Sequence, residues 1–146
     1  MSLLTDKAFY NALHSSRLIW RLTDGRVYST AVPVPEDQLD NTPLPYIIIT
    51  FDGMTNSGVT KDGSYEGSTD IVNVGITAVA ESRHKLGELM EAIRAKVQDF
   101  FDNADEQTED FELIPYSYEL TAGEVGFDSI VPCYYQKLNY QCDTTP

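Results

Sequence analysis

Residues Asp70–Ala80, DIVNVGITAVA, followed after one glutamate by Ser82–Phe101, SRHKLGELMEAIRAKVQDFF, decide the fold. In the first stretch Val72, Val74, Ile76, Ala78 and Ala80 fall on one side of an extended chain, and Asn73, Gly75 and Thr77 on the other. That alternation predicts a strand with one face in the core and one small, polar face. In the second, Leu86, Leu89, Met90, Ile93, Val97 and Phe100 recur at helical spacing, with Glu88, Glu91, Lys96 and Asp99 off the stripe. Ser82 can cap this helix, and Gly87 weakens its interior by about 1 kcal/mol relative to Ala. An apolar strand face followed at once by an apolar helix stripe predicts that the two pack together, with Ile76 opposite Ile93.

Working back from Asp70, residues 52–67 carry Gly53, Gly58, Gly63 and Gly67 with the turn formers Asn56-Ser57-Gly58 and Lys61-Asp62-Gly63. They read as a long hairpin connection of low apolar content. Before it, Tyr46–Phe51 is apolar on both faces apart from Thr50, which predicts a strand central in the sheet. Pro33, Pro35, Pro43 and Pro45 mark residues 33–45 as an extended, exposed loop. Arg26–Val32 reads as a short strand after the turn Thr23-Asp24-Gly25. Leu4, Ala8, Phe9, Ala12 and Leu13 predict an N-terminal helix capped by Thr5 or Asp6, and Leu18-Ile19-Trp20 with Leu22 a further apolar turn or short helix. Trp20, by the area it must bury, is expected to anchor the core.

Forward of Phe101, Asp102–Asp110 reads as a solvated acidic loop. Ile114, Tyr116, Tyr118 and Leu120 alternate in a strand whose Pro115 argues for an edge or a bulge. After a turn region at Gly123–Gly126, Ser129–Cys142 reads as the last strand, with Tyr134, Leu138, Tyr140 and Cys142 on one face. The expectation is a single α+β domain over residues 1–146. It has an antiparallel or mixed sheet of about five strands, packed by one long helix and an N-terminal helix.

The 146 residues fit one domain and suffice to bury about 68–70% of the surface of the unfolded chain. The longest apolar run, Tyr46-Ile47-Ile48-Ile49, is far short of the ~20 residues a membrane helix needs. The N-terminal Met-Ser-Leu-Leu-Thr-Asp-Lys has neither the basic leader nor the apolar stretch of a signal peptide, so a protein with no membrane association is expected. Ten Lys and Arg against 23 Asp and Glu give a formal charge of −13, which repels phosphates and anionic membranes alike. Composition leaves three readings open: a well-solvated surface, a surface for a basic partner, or one past which nucleic acid slides without sticking. Cys133 and Cys142, nine residues apart on one strand, would lie about 30 Å from each other, too far for a disulfide. Two reduced thiols are the simpler reading.

No constellation for catalysis or metal binding is found. His14 and His84 belong to different helices and match no ligand spacing, although Glu88 is placed to pair with His84. Asp102–Asp110 invites a calcium-loop reading but has Ala104 at the third position and no glycine at the sixth. There is no Gly-x-Ser-x-Gly elbow, neither cysteine stands in a motif with histidine, and the glycines of 53–67 match no phosphate loop. The residues point away from an enzyme, with no catalytic, cofactor-binding or metal-binding residues and no cofactor.

Gly25-Arg26-Val27-Tyr28, the proline-rich stretch and Leu44-Pro45-Tyr46-Ile47-Ile48-Ile49 are followed by the long hairpin, Ala78-Val79-Ala80, the helix of Leu86, Leu89, Ala92, Ile93 and Val97, and a tyrosine-rich last strand. From Leu3 to Cys142 this order resembles the small tail-completion proteins of tailed phages and prophages, the group of tail terminators and neck, or head–tail joining, proteins. The chain departs from that pattern in its longer 52–67 loop and its acidic 102–110 insertion.

The resemblance implies a structural protein that assembles with itself into a ring, commonly a hexamer, at the head-proximal end of the tail tube. Such a ring meets the tail tube protein and the head connector or neck proteins, and DNA passes through its lumen without specific binding. It also implies a location in the host cytoplasm during assembly and then in the virion tail. Met54, Thr55, Asn56, Val59, Lys61 and Tyr65 of the hairpin are the candidate assembly contacts. The alternative is a non-phage α+β binding or adaptor module of similar fold.

Overall fold

The alternation over residues 70–80 becomes the middle of a sheet. The computed structural model describes residues 5–31, 43–56, 70–102 and 118–144. Strand β3 (Asp70–Ala80) pairs antiparallel with β2 (Tyr46–Asn56) on one side and with β6 (Cys133–Thr144) on the other. At one edge β1 (Val27–Ser29) runs parallel to β2; at the other, β4 (Tyr118–Ala122) and β5 (Gly126–Asp128) both pair with β6. Among the described residues the sheet is therefore mixed, with six strands in the order β1-β2-β3-β6-β4 and β5 beside β6. Helices α1 (Thr5–His14), α2 (Arg17–Thr23) and α3 (Arg83–Asp102) form the second layer, which makes the fold the expected α+β arrangement.

The core lies between the layers, where the patterning put it. Val72, Val74, Ile76, Ala78 and Ala80 are all fully buried, as are Ile47 and Ile49 of β2 and Leu138 and Cys142 of β6. Leu86, Ile93 and Val97 of α3 and Phe9 and Leu13 of α1 close over them in one apolar cluster. Ser82 caps α3 by accepting a hydrogen bond from the Lys85 backbone N–H at 3.1 Å, and His84 pairs with Glu88 at 2.8 Å. Both cysteines are buried, with no disulfide between them. A methyl group at Gly87 would meet only Arg83 Nη1, at an ordinary 3.4 Å. Gly87→Ala should therefore raise stability by about 0.5–1 kcal/mol, read as a higher urea midpoint at unchanged slope.

Four expectations change. First, β2 continues past Phe51 to Asn56, so residues 52–56 belong to a strand and not to the hairpin connection. A register shift between Phe51 and Met54 accommodates Asp52 and Gly53, and Gly53 takes the φ of +115° that the irregularity requires. Second, the strand expected over 26–32 is only Val27–Ser29. Third, a short β5 occupies the end of the region read as a turn, raising the strand count to six, and β6 starts at Cys133 rather than Ser129. Asp128 Oδ1 accepts from the backbone N–H groups of Ile130 and Val131, so the chain turns there. Fourth, Trp20 does not anchor the core: it is 49% exposed. Ile19 and Thr23 take the buried stripe of the seven-residue α2, and Trp20 falls off that stripe.

The β1 edge is blunted. The strand has three residues, Val27 N–H donates to Gly25 O, and Ser29 O accepts from Ala31 N–H, so part of its backbone is satisfied by its own flanks. Thr30, at a φ of +73°, then bends the chain away.

Candidate assembly surface

The two short motifs that carry the family resemblance meet in space. Arg26 donates from Nε to Pro45 O at 3.0 Å and from Nη2 to Leu44 O at 3.1 Å, and it lies 3.6 Å from Asp24. One guanidinium thus fixes where β2 begins relative to β1, across the cis peptide bond Leu44–Pro45. Arg26→Ala should cost about 1.5–3 kcal/mol in denaturant unfolding, because two carbonyls lose a charged donor. Lysine should not restore it, since a single ammonium cannot reproduce the fork.

One cross-strand row ties the two edges of the sheet together. Tyr46 pairs with Val79, Val79 with Tyr135, and Tyr135 with Gly126, while Val27 sits beside Ile47 and so brings Arg26 to the level of Tyr46. At the β1 end of this row lies α2, joined to β1 through Asp24-Gly25-Arg26. The Trp20 ring stands over Gly25, close enough that a methyl group there would meet it at 2.8 Å, and it also meets His14 edge-on at 5.2 Å. Trp20, Arg17, Arg21, Ser15, Ser16 and His14 line a shallow groove, and Leu18, 52% exposed, lies elsewhere on α2. Among the described residues Arg17 and Arg21, with Lys7 and Arg83 elsewhere, have no ion-pair partner, whereas Arg26, Lys85, Arg94, Lys96 and Lys137 each have one.

The other end of the row is of opposite character. Val125, Phe127, Ile130 and Tyr135 are exposed, Ile130 to 89%, and exposed Glu124 and half-buried Asp128 stand among them. Scattered surface apolar residues are ordinary; Val125, Phe127 and Ile130 follow closely in sequence around β5 and the turn after it, while Tyr135 lies on the opposite face of the sheet from Phe127, whose ring packs on Tyr134 at 4.9 Å. Neither patch is visible in the sequence, where Leu18 belongs to an apolar turn or short helix, Trp20 reads as a core anchor and residues 129–131 read as strand.

On the face of the sheet away from the helices, Lys137 Nζ reaches Asp52 Oδ2 at 2.9 Å, directly over Gly75. A Cβ there would lie 2.3 Å from both side chains, so glycine is what lets the pair lie flat across the strand. Thr50 Oγ1 donates to Asp52 at 2.8 Å, and Asn139 Nδ2 donates to Thr121 at 2.9 Å. This part of the face is hydrogen-bonded within itself.

Of the hairpin residues expected to make assembly contacts, Met54 packs against the core and Thr55 is exposed near the end of β2. Asn56 closes that strand; Val59, Lys61 and Tyr65 lie outside the described residues. Burial pushes the Cys133 thiol above its usual range, with Asp128 adding to the rise, which is the opposite of a reactive thiolate. Burial likewise raises the Tyr46 phenol, helped by Cys133, Tyr28 and Asp128. No three His, Cys, Asp or Glu side chains converge among the described residues.

No family model and no curated protein matches the chain. Its fold is similar to that of a chain in the virion of a native gene transfer agent (GTA) particle, with a TM-score of 0.63 over 97% of this chain and 94% of that one. The two are 15% identical in sequence, so the likeness is one of fold.

Proposed function

We propose that this protein is a non-enzymatic structural component of a phage-like particle, and within such a particle a tail-completion or tail-terminator subunit. It forms a ring, with six copies the expected number, at the head-proximal end of the tail tube. The tail tube protein lies on one side of the ring and the head connector or neck proteins on the other, and DNA passes through the lumen. It would be found in the host cytoplasm during assembly and in the virion tail afterwards. The observation that carries this reading is the fold shared almost end to end with a chain of a virion particle. The resemblance in motif order to tail-completion proteins narrows the role.

The surface chemistry supports it. A closed ring needs two different complementary patches on each subunit, and this fold has two unlike patches at opposite edges of its sheet. The excess of negative charge suits a lumen that must not hold DNA.

The test is electron microscopy of the concentrated protein, alone and with the tail tube protein of the same particle. Rings, and tubes whose length falls as the protein is added, are expected. A monomer at every concentration that leaves tube length unchanged would overturn the reading in favour of a binding module of similar fold.

A further inference from the structure

We infer that α2 of one copy docks on the β5 corner of the next, so that the ring is closed by a basic, aromatic surface seated on an acidic, apolar one. The inference rests on the ring reading above and names the surfaces that make it.

Charge supplies the first reason. Copies of a chain with a formal charge of −13 repel one another, so any contact between them needs local complementarity. Basic groups are scarce here, and five of the described ones are held in ion pairs within the chain. Lys7, Arg17, Arg21 and Arg83 are left over, all exposed, and of these Arg17 and Arg21 stand one helical turn apart on the groove that holds Trp20. The far edge offers exposed Glu124, Phe127 and Ile130 on β5 and the segments that flank it. A second copy therefore carries what the first one's arginines lack.

Composition supplies the second. Trp20 is half-exposed between the two arginines, and tryptophan and arginine are the residues most enriched where interfaces hold their energy. Trp20 on one side and Ile130 on the other give each surface an exposed apolar group with charge near it, the usual anatomy of an interface.

Position supplies the third. The two surfaces sit at opposite ends of the single row running from Arg26 through Tyr46, Val79 and Tyr135 to Gly126. Four strand spacings separate them, about 19 Å at ~4.8 Å each. Because both lie at the same end of the strands, docking one on the other adds copies side by side with little rise. That geometry favours closure into a ring over a climbing filament.

Two variants test the contact, both confined to exposed side chains. Arg17→Glu with Arg21→Glu removes the basic surface; Phe127→Asp with Ile130→Asp removes the apolar one. Each should melt within a few degrees of the wild type, yet sediment as a monomer at concentrations where the wild type forms rings, with the association midpoint raised roughly tenfold or more. Mixed in equal amounts, the two variants retain one good surface of each kind between them. They should form one-to-one dimers that grow no further, an outcome that only a head-to-tail contact between these two surfaces gives. Rings from either variant alone would overturn the contact while leaving the ring reading intact. A wild-type chain that never associates would overturn both.

Discussion

Replacing Phe9 with Ala is expected to lower stability by about 3–5 kcal/mol. Phe9 is fully buried, its ring centroid 5.7 Å from those of Phe100 and Phe101 and 5.8 Å from that of Tyr140. One side chain of α1 thus touches the end of α3 and the sheet together, and its removal leaves a void that three other rings cannot all collapse into. For a chain of this length the melting temperature should fall by roughly 10 °C. A loss below about 1 kcal/mol in denaturant unfolding would mean that α1 lies on the domain without closing it.

Ile76→Ala and Ile93→Ala should each cost about 2–5 kcal/mol, since both side chains are fully buried in the cluster between sheet and α3. The double variant should lose less than the sum, because the two truncations open one shared cavity. Additive losses would place the residues in separate parts of the core. Losses under about 1 kcal/mol at both would undo the assignment of the apolar faces.

These two isoleucines were legible in the sequence because the patterns around them are long and regular. Eleven residues of alternation and about four turns of apolar stripe leave one way to fit β3 to α3. Shorter signals failed where a neighbour outside the window decided the outcome. Asp52-Gly53 has the composition of a turn, yet β3 holds the strand in register beyond it through Asn56. Gly126 reads as a loop residue, but β6 offers it a partner in Tyr135. Trp20 was assigned by its size, while its position next to Ile19 on a short helix decides which way it faces. The same applies to the candidate surface. Whether Leu18, Trp20 and Ile130 lie inside or outside depends on tertiary packing, and only the spacing of Arg17 and Arg21 opposite Ile19 and Thr23 hinted at a polar face for α2. The hairpin reads as an assembly segment through the reach its glycines give it, and most of it lies outside the described residues.

The blunted β1 edge also sets the mechanics of any assembly built from this chain. A strand of three residues whose backbone turns back on its own flanks cannot be continued by a neighbour's strand. A joint at that edge would consist of side chains around Trp20 and would lack a hydrogen-bonded ladder, so it could pivot a few degrees without breaking. Adjacent copies could then tilt as a tube flexes beneath them, and the ring would follow the tube in the manner of a jointed collar rather than a rigid washer.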